Sequence, residues 1–117
     1  MSAVLQTKIG RIVYSDDYIA CVAGLTATEC YGVVGMASKK AADGLWVILR
    51  RDNIKKGVKV FTDQSNALRI DLSIVVEFGI SISAAATAII ETVRYNVEKA
   101  TSLIVKEVNI IVSGIRV

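Results

Sequence analysis

The sequence predicts one small α/β domain of the α+β kind, with two main helices packed on a mixed β-sheet that contains a hairpin. Three observations predict it. Of the 117 residues, 53% are hydrophobic and 21% charged, with no Pro and no His, a composition too rich in Val, Ile, Leu and Ala for a disordered chain. Leu68, Ile70, Leu72, Ile74, Val76 and Phe78 fall on every second position, with Arg69, Asp71, Ser73 and Glu77 between them, which is the period of a strand with one buried face. Ile82, Ala86, Ile89, Val93, Val97 and Ala100 then recur at gaps of three and four, the period of a helix. The length suits a single domain over residues 1–117, with core enough to need no disulfide scaffold.

The elements follow in order. Ile9 to Tyr14 reads as a short strand. Ser15 supplies a helix cap, and Asp16 and Asp17 place carboxylates where the helix dipole favours them, so a helix is expected over Tyr18 to Cys30. Tyr31 to Ala37 is apolar again. Asp43-Gly44 opens a short helix through Leu45, Trp46, Ile48 and Leu49, and Asp52 to Gly57 reads as a turn into a strand at Val58 to Thr62. Gln64-Ser65-Asn66 makes the hairpin to the long strand. A window of about nineteen residues from Leu72 to Ile90 has the hydropathy of a membrane span, with Glu77 its one charge. The change of period at Gly79 argues instead for a buried strand feeding a buried helix. Ser81 or Ser83 caps that helix, whose wet face carries Glu91, Arg94 and Glu98. Ile104 to Val112 is β-branched enough to be a closing strand, with a bulge expected at Lys106 and Glu107. The succession of strand, helix and apolar segment occurs twice, and both internal duplication and convergent packing fit the low identity between the halves.

The missing His removes Ser-His-Asp and Cys-His nucleophile pairs and the commonest metal ligand. No phosphate-cradling glycine run occurs. Gly32-Val33-Val34-Gly35 has the G-x-x-G form of a KH RNA-binding loop, but its apolar middle suits backbone packing better than an exposed basic loop. Asp16 and Asp17 have no further oxygen ligands nearby in sequence, and Glu77 has no second carboxylate with which to divide acid and base roles. No catalytic, cofactor-binding or metal-binding residue is therefore assigned, and no small-molecule substrate is expected. Cys21 and Cys30, nine residues apart, would face opposite sides of one helix and act as small apolar side chains. The first ten residues lack the layout of a signal peptide, which points to the cytoplasm.

Two surfaces stand out. Lys39, Lys40, Arg50, Arg51, Lys55, Lys56 and Lys59 supply seven of the fourteen basic residues, against Asp43 and Asp52, so segment 38–59 carries +5 and the rest −2. This is a candidate patch for an anionic partner, bound weakly, with steep salt dependence and without sequence preference for nucleic acid. Tyr18 to Thr28 contains no charge, and Ala20, Gly24 and Thr28 recur every fourth residue beside Ala23 and Ala27. A helix apolar all round must be covered on more than one side, so the row of Ala20, Gly24 and Thr28 is a candidate self-association face. The alternative is that the central segment around Trp46 folds over it.

Gly10-Arg11-Ile12, Ile19-Ala20 with Ala23-Gly24, Tyr31-Gly32-Val33-Val34-Gly35-Met36, Lys56-Gly57-Val58-Lys59-Val60, Ile70-Asp71-Leu72, Val75-Val76-Glu77-Phe78-Gly79, Val108-Asn109-Ile110 and Ser113-Gly114-Ile115 occur in this order along nearly the whole chain. Together they resemble the alkaline shock protein family of Gram-positive bacteria, in its short form without acidic tails. The resemblance implies a cytoplasmic, non-enzymatic protein of cell-envelope stress and homeostasis, which forms homo-oligomers and associates with the membrane through a membrane-protein partner. The competing class is a nucleic-acid or anionic-lipid binding module using segment 38–59. Its one stacking candidate, Trp46, sits between Leu45 and Val47 in a pattern that looks buried, which favours the scaffold.

Overall fold

The computed structural model describes residues 2–39, 46–49 and 51–117. These form a small α+β domain with two helices and mixed sheets. In chain order the elements are β1 (Ser2–Gln6), β2 (Arg11–Ser15), α1 (Asp16–Thr28), β3 (Val33–Lys39), β4 (Trp46–Ile48), a 3-10 helix (Arg51–Gly57), β5 (Val58–Thr62), β6 (Leu68–Glu77), α2 (Ile82–Thr101) and β7 (Val105–Arg116).

The alternation in β6 does what its period requires. Leu68, Ile70, Leu72, Ile74 and Val76 are at most 1% exposed, while Arg69 and Glu77 face solvent. Val75, the break in the pattern, is fully buried on the opposite face. β5 pairs antiparallel with the first half of β6, from Val58 opposite Leu72 to Thr62 opposite Leu68. β3 pairs antiparallel with the second half, with Met36 opposite Ile74. β7 runs parallel along the other edge, from Leu68 opposite Val105 to Glu77 opposite Arg116. Lys106 falls unopposed between Val105 and Glu107, at the expected bulge, and a second shift lies at Ser113. The strand continues to Arg116, past the expected end at Val112.

Three expectations about strands need correction. β6 stops at Glu77, so Phe78 lies beyond the alternation and is 72% exposed, its N–H donating to the Arg116 carbonyl at 3.0 Å. Trp46 to Ile48 is not helical: these residues form β4, with Ile48 opposite Ala37 and Trp46 opposite Lys39, as suits an aromatic and two β-branched residues. Asp43, Gly44 and Leu45, where that helix was to open, lie outside the described residues. β1 was not anticipated, and it pairs with β2 in a separate two-stranded sheet. Because β2 pairs with β1 and β3 with β6, while β6 and β7 are parallel neighbours, the two strand–helix–strand units do not share a topology.

Both helices start where a serine stands. Ser15 caps α1 by accepting the Tyr18 N–H at 3.1 Å, and Asp16 and Asp17 occupy the first turn. Ser81 precedes α2 without a side-chain cap. The buried stripe of α2 is Ile89, Val93, Val97 and Thr101. Steps of four from Ile89 end on Thr101 rather than Ala100, and the Thr101 hydroxyl donates to the Val97 carbonyl at 2.8 Å. At the other end Ile82 is 37% exposed. α1 ends at Thr28, so Cys30 lies outside it; both cysteines are free and half-buried rather than interior.

One buried cluster joins Ile19, Ala20, Ala23 and Ala27 of α1, Ile89, Val93 and Val97 of α2, and the inward residues of β6, together with Ile54 and Val58. The two helices are also linked by the Asn96 amide, which donates to the Thr26 hydroxyl at 3.2 Å. This arrangement buries most of the row expected as a self-association face. Ala20 is 5% exposed, Gly24 is buried and Thr28 is half-buried. A Cβ placed on Gly24 would meet Ile54 and Val58 at 3.3 Å. The central segment packs on this row at Gly24, through its 3-10 helix and the start of β5.

Replacing Gly24 by Leu forces several carbons into space that Ile54 and Val58 already fill. It is expected to lower the unfolding free energy measured in urea by about 2 kcal/mol, in the range found for overpacked cores. An unchanged midpoint would contradict this contact. The β5–β6 turn supports a second expectation. The Asp63 carboxylate receives the Lys106 ammonium at 2.6 Å, the Ser65 hydroxyl at 2.7 Å and N–H at 2.8 Å, and the Ala67 N–H at 3.0 Å. Lys106 first and Ser65 second hold its carboxyl well below the usual carboxylate range. A carboxyl depressed only in the folded state takes up its proton first in the unfolded chain. Its contribution is therefore complete above the unfolded value, about 4, and declines as pH falls through the folded one. The stability difference between wild type and Asp63→Asn should shrink below about pH 4, and a difference independent of pH would refute the assignment.

Candidate functional site

Of the seven basic residues in segment 38–59, Lys40 and Arg50 lie outside the described residues, as do the side chains of Lys39 and Arg51. The 3-10 helix places Lys55 beside the start of α1, where its ammonium donates to Asp17 Oδ2 at 3.1 Å. Lys56 is exposed, and Lys59, also exposed, stands opposite Asp71 in the sheet register. Asp16, Asp17, Lys55 and Lys59 line one shallow concavity of about 310 Å³. Acid and base share that surface in equal number, so this part of the patch is close to neutral locally.

The sheet face turned away from the cluster carries linked polar groups. Arg69 lies 3.5 Å from Asp71 and stacks over the Phe61 ring at 4.0 Å. The Asn109 amide donates to Asp71 at 2.9 Å and to Glu107 at 2.7 Å. At the end of β6, Glu77 accepts from the Arg116 guanidinium at 2.6 Å, across the register that pairs them. That contact gives Glu77 a structural partner. Among the described residues no three Cys, Asp or Glu side chains converge in a geometry suited to a metal.

Beyond Glu77 the surface changes character. Gly32 follows α1 with φ +86°, a conformation that a side chain would strain, and a Cβ there would strike the Ile80 side chain. The Glu77 N–H donates to the Gly32 carbonyl at 2.9 Å, so the turn after α1 is tied to the end of β6. Gly35 is buried opposite Val75. The G-x-x-G sequence is thus a turn and a packed strand. Beside it opens a concavity of about 410 Å³, lined by Cys30, Tyr31, Gly79, Ile80, Ser81 and the alanines 84, 85 and 88. Tyr31 on its rim is 85% exposed. Burial, and secondarily Glu29, pushes the Cys30 thiol above its ordinary value, so it stays protonated and a poor nucleophile.

Reading the residues as a sequence missed this end of the domain. A signal was present: Phe78 to Ile90 contains no charge, but the run was absorbed entirely into a buried strand and helix. Among the described residues no helix is long and apolar enough to cross a membrane.

Residues 4–117 match the family model of the alkaline shock protein 23 family, described as having cell envelope-related function. Similar chains include the uncharacterized protein YloU of Bacillus subtilis, 45% identical over 118 residues that cover all of this chain and 98% of that protein. The uncharacterized protein Spy1614 of Streptococcus pyogenes is 41% identical, covering all of this chain and 97% of its own length. A second B. subtilis protein, the uncharacterized YqhY, is 34% identical over 94% of this chain and 80% of its own. No solved structure matches. With nearly every residue inside the family model and relatives aligned end to end, the chain belongs to the alkaline shock protein 23 family, a family of cell envelope-related function.

Proposed function

We propose that the chain is a cytoplasmic, non-enzymatic scaffold of cell-envelope stress and homeostasis, which self-associates and docks on a membrane-protein partner. The observation that carries this reading is the alanine-lined concavity at the end of β6, with Tyr31 exposed on its rim and Phe78 and Ile82 exposed in the chain segment that borders it. Exposed apolar surface of this kind serves protein contacts. The absence of His from the sequence and the engagement of Glu77 by Arg116 support the non-enzymatic part. The pairing of Lys55 with Asp17 weakens the competing reading, in which segment 38–59 binds nucleic acid or anionic lipid.

Sedimentation of the full chain at micromolar concentration is expected to show species heavier than the monomer; a folded protein that stays monomeric overturns self-association. Binding to envelope membranes is expected to vanish after protease treatment of the membranes and to be absent from protein-free phosphatidylglycerol vesicles. Salt-sensitive binding to such vesicles would instead support the lipid reading. Glu77→Gln should fold normally and change stability by less than about 1 kcal/mol, as for other exposed ion pairs.

A further inference from the structure

We propose that the outer edge of β1 is a groove for an extended apolar segment of another protein, one that carries a carboxylate and adds to β1 as a third strand. The groove stands beside the β5–β6 turn, at the opposite end of β6 from the alanine-lined concavity, and does not depend on the role given to that concavity. β1 and β2 form a two-stranded sheet of their own. The Thr7 N–H donates to the Gly10 carbonyl at 2.8 Å, so the residues of β1 that bond to β2 are Leu5, opposite Ile12, and Ala3, opposite Tyr14. The alternate residues Val4 and Gln6 turn their backbone groups outward. The Val4 N–H donates to Asn66 Oδ1 of the β5–β6 turn at 3.0 Å, which verifies that direction. The Gln6 N–H and the Val4 and Gln6 carbonyls have no partner among the described residues. Such a row is a template for one more strand.

A hollow of about 490 Å³ runs along this edge, and Val4, Leu5 and Gln6 all line it. Successive side chains of a strand point to opposite faces, so a hollow that touches all three lies along the edge and not over one face. Its far wall is the segment after α2, with Leu103 buried and Ile104 66% exposed. An added strand satisfies the outward backbone groups and lays its apolar side chains against Leu103 and Ile104, two demands that a compact small molecule does not meet together. Charge selects the chemistry of that strand. No Asp or Glu occurs from Met1 to Ser15, whereas Lys8 and Arg11 do, and Arg11 stands opposite Gln6. Lys106, which also lines the hollow, donates to Asp63, while Lys8 and Arg11 form no ion pair among the described residues. A carboxylate at the Gln6 end of the incoming strand therefore meets cations that nothing else neutralises. A second copy pairing through the same strand brings no carboxylate, since its own first fifteen residues have none, so the charge points to a different chain.

The test uses the full chain and two acetylated, amidated hexapeptides that alternate valine and threonine and end in glutamate or in lysine. In a titration followed by amide NMR, the glutamate peptide is expected to bind saturably and to move the Gln6 amide signal downfield, and the lysine peptide to bind at least about threefold more weakly. Gln6→Pro removes the outward N–H without touching a bond to β2, a place where an edge strand accepts Pro. It is expected to weaken the glutamate peptide at least about fivefold, as for a lost bond to a backbone donor. Ile104→Ser, at an exposed position, strips the apolar wall and should weaken binding by about as much; it carries the test if circular dichroism shows that Gln6→Pro does not fold. Absence of saturable binding, or binding that neither substitution weakens, overturns the groove. A lysine peptide that binds as tightly as the glutamate peptide overturns the assignment of a carboxylate. A wild type that sediments as a dimer beside a monomeric, folded Gln6→Pro places a second copy on this edge and overturns the proposal.

Discussion

The fold depends on β6 being paired along both edges while presenting one wholly apolar face. Its partner β7 is parallel, and parallel neighbours cannot be joined by a tight turn. A strand of 10 residues advances about 33 Å, and the 20-residue α2 spans about 30 Å. The helix therefore returns the chain over one strand length, and its stripe of Ile89, Val93 and Val97 joins the same buried cluster as Ile70, Leu72 and Ile74. The other edge of β6 is shared by β5 and β3, each covering about half. The 3-10 helix between β4 and β5 must then lie near the junction, which is what brings Ile54 against α1.

That placement explains why α1 is built of small residues. It packs with α2 through Thr26 and Asn96, and it meets Ile54 and Val58 at Gly24. Short side chains at Ala20, Ala23, Gly24 and Ala27 permit close approach on more than one side of a single helix. The sequence pattern therefore records that something comes near. It does not record what, because a close approach by the same chain and one by another copy place the same demand on residue size.

The same reasoning marks how far the sequence could be read. β5, β6, the Ser15 cap and the Lys106 bulge were legible because each has a local cause: alternation, a hydroxyl before two carboxylates, or a charged break in a β-branched run. β1 and β4 were not, since three residues such as Trp46 to Ile48 do not distinguish a period of 2 from one of 3.6. The last buried residue of α2 depended on stepping by four beyond Val97. Phe78 fits the alternation perfectly in sequence, and its exposure follows only from where β6 stops. The concavity beside it is made by three segments that the chain brings together from positions 30, 80 and 88, so only the folded arrangement could reveal it.

The remaining charges explain why one end of the domain is left apolar. Lys55 with Asp17 joins the 3-10 helix to α1, and Lys106 with Asp63, Arg69 with Asp71 and Arg116 with Glu77 are close pairs along the sheet and its turns. Each is worth little as stability because water competes for both partners. Their effect is to make those surfaces polar and locally balanced, so that neighbouring molecules gain little by displacing the water there. Tyr31, and Phe78 just beyond the last of these pairs, remain exposed, and their rings keep an unfavourable contact with water in the isolated domain. Covering that end recovers the difference, while covering the paired faces would require desolvating ions. Charge pairing thus makes the paired surfaces more costly to cover than the exposed rings.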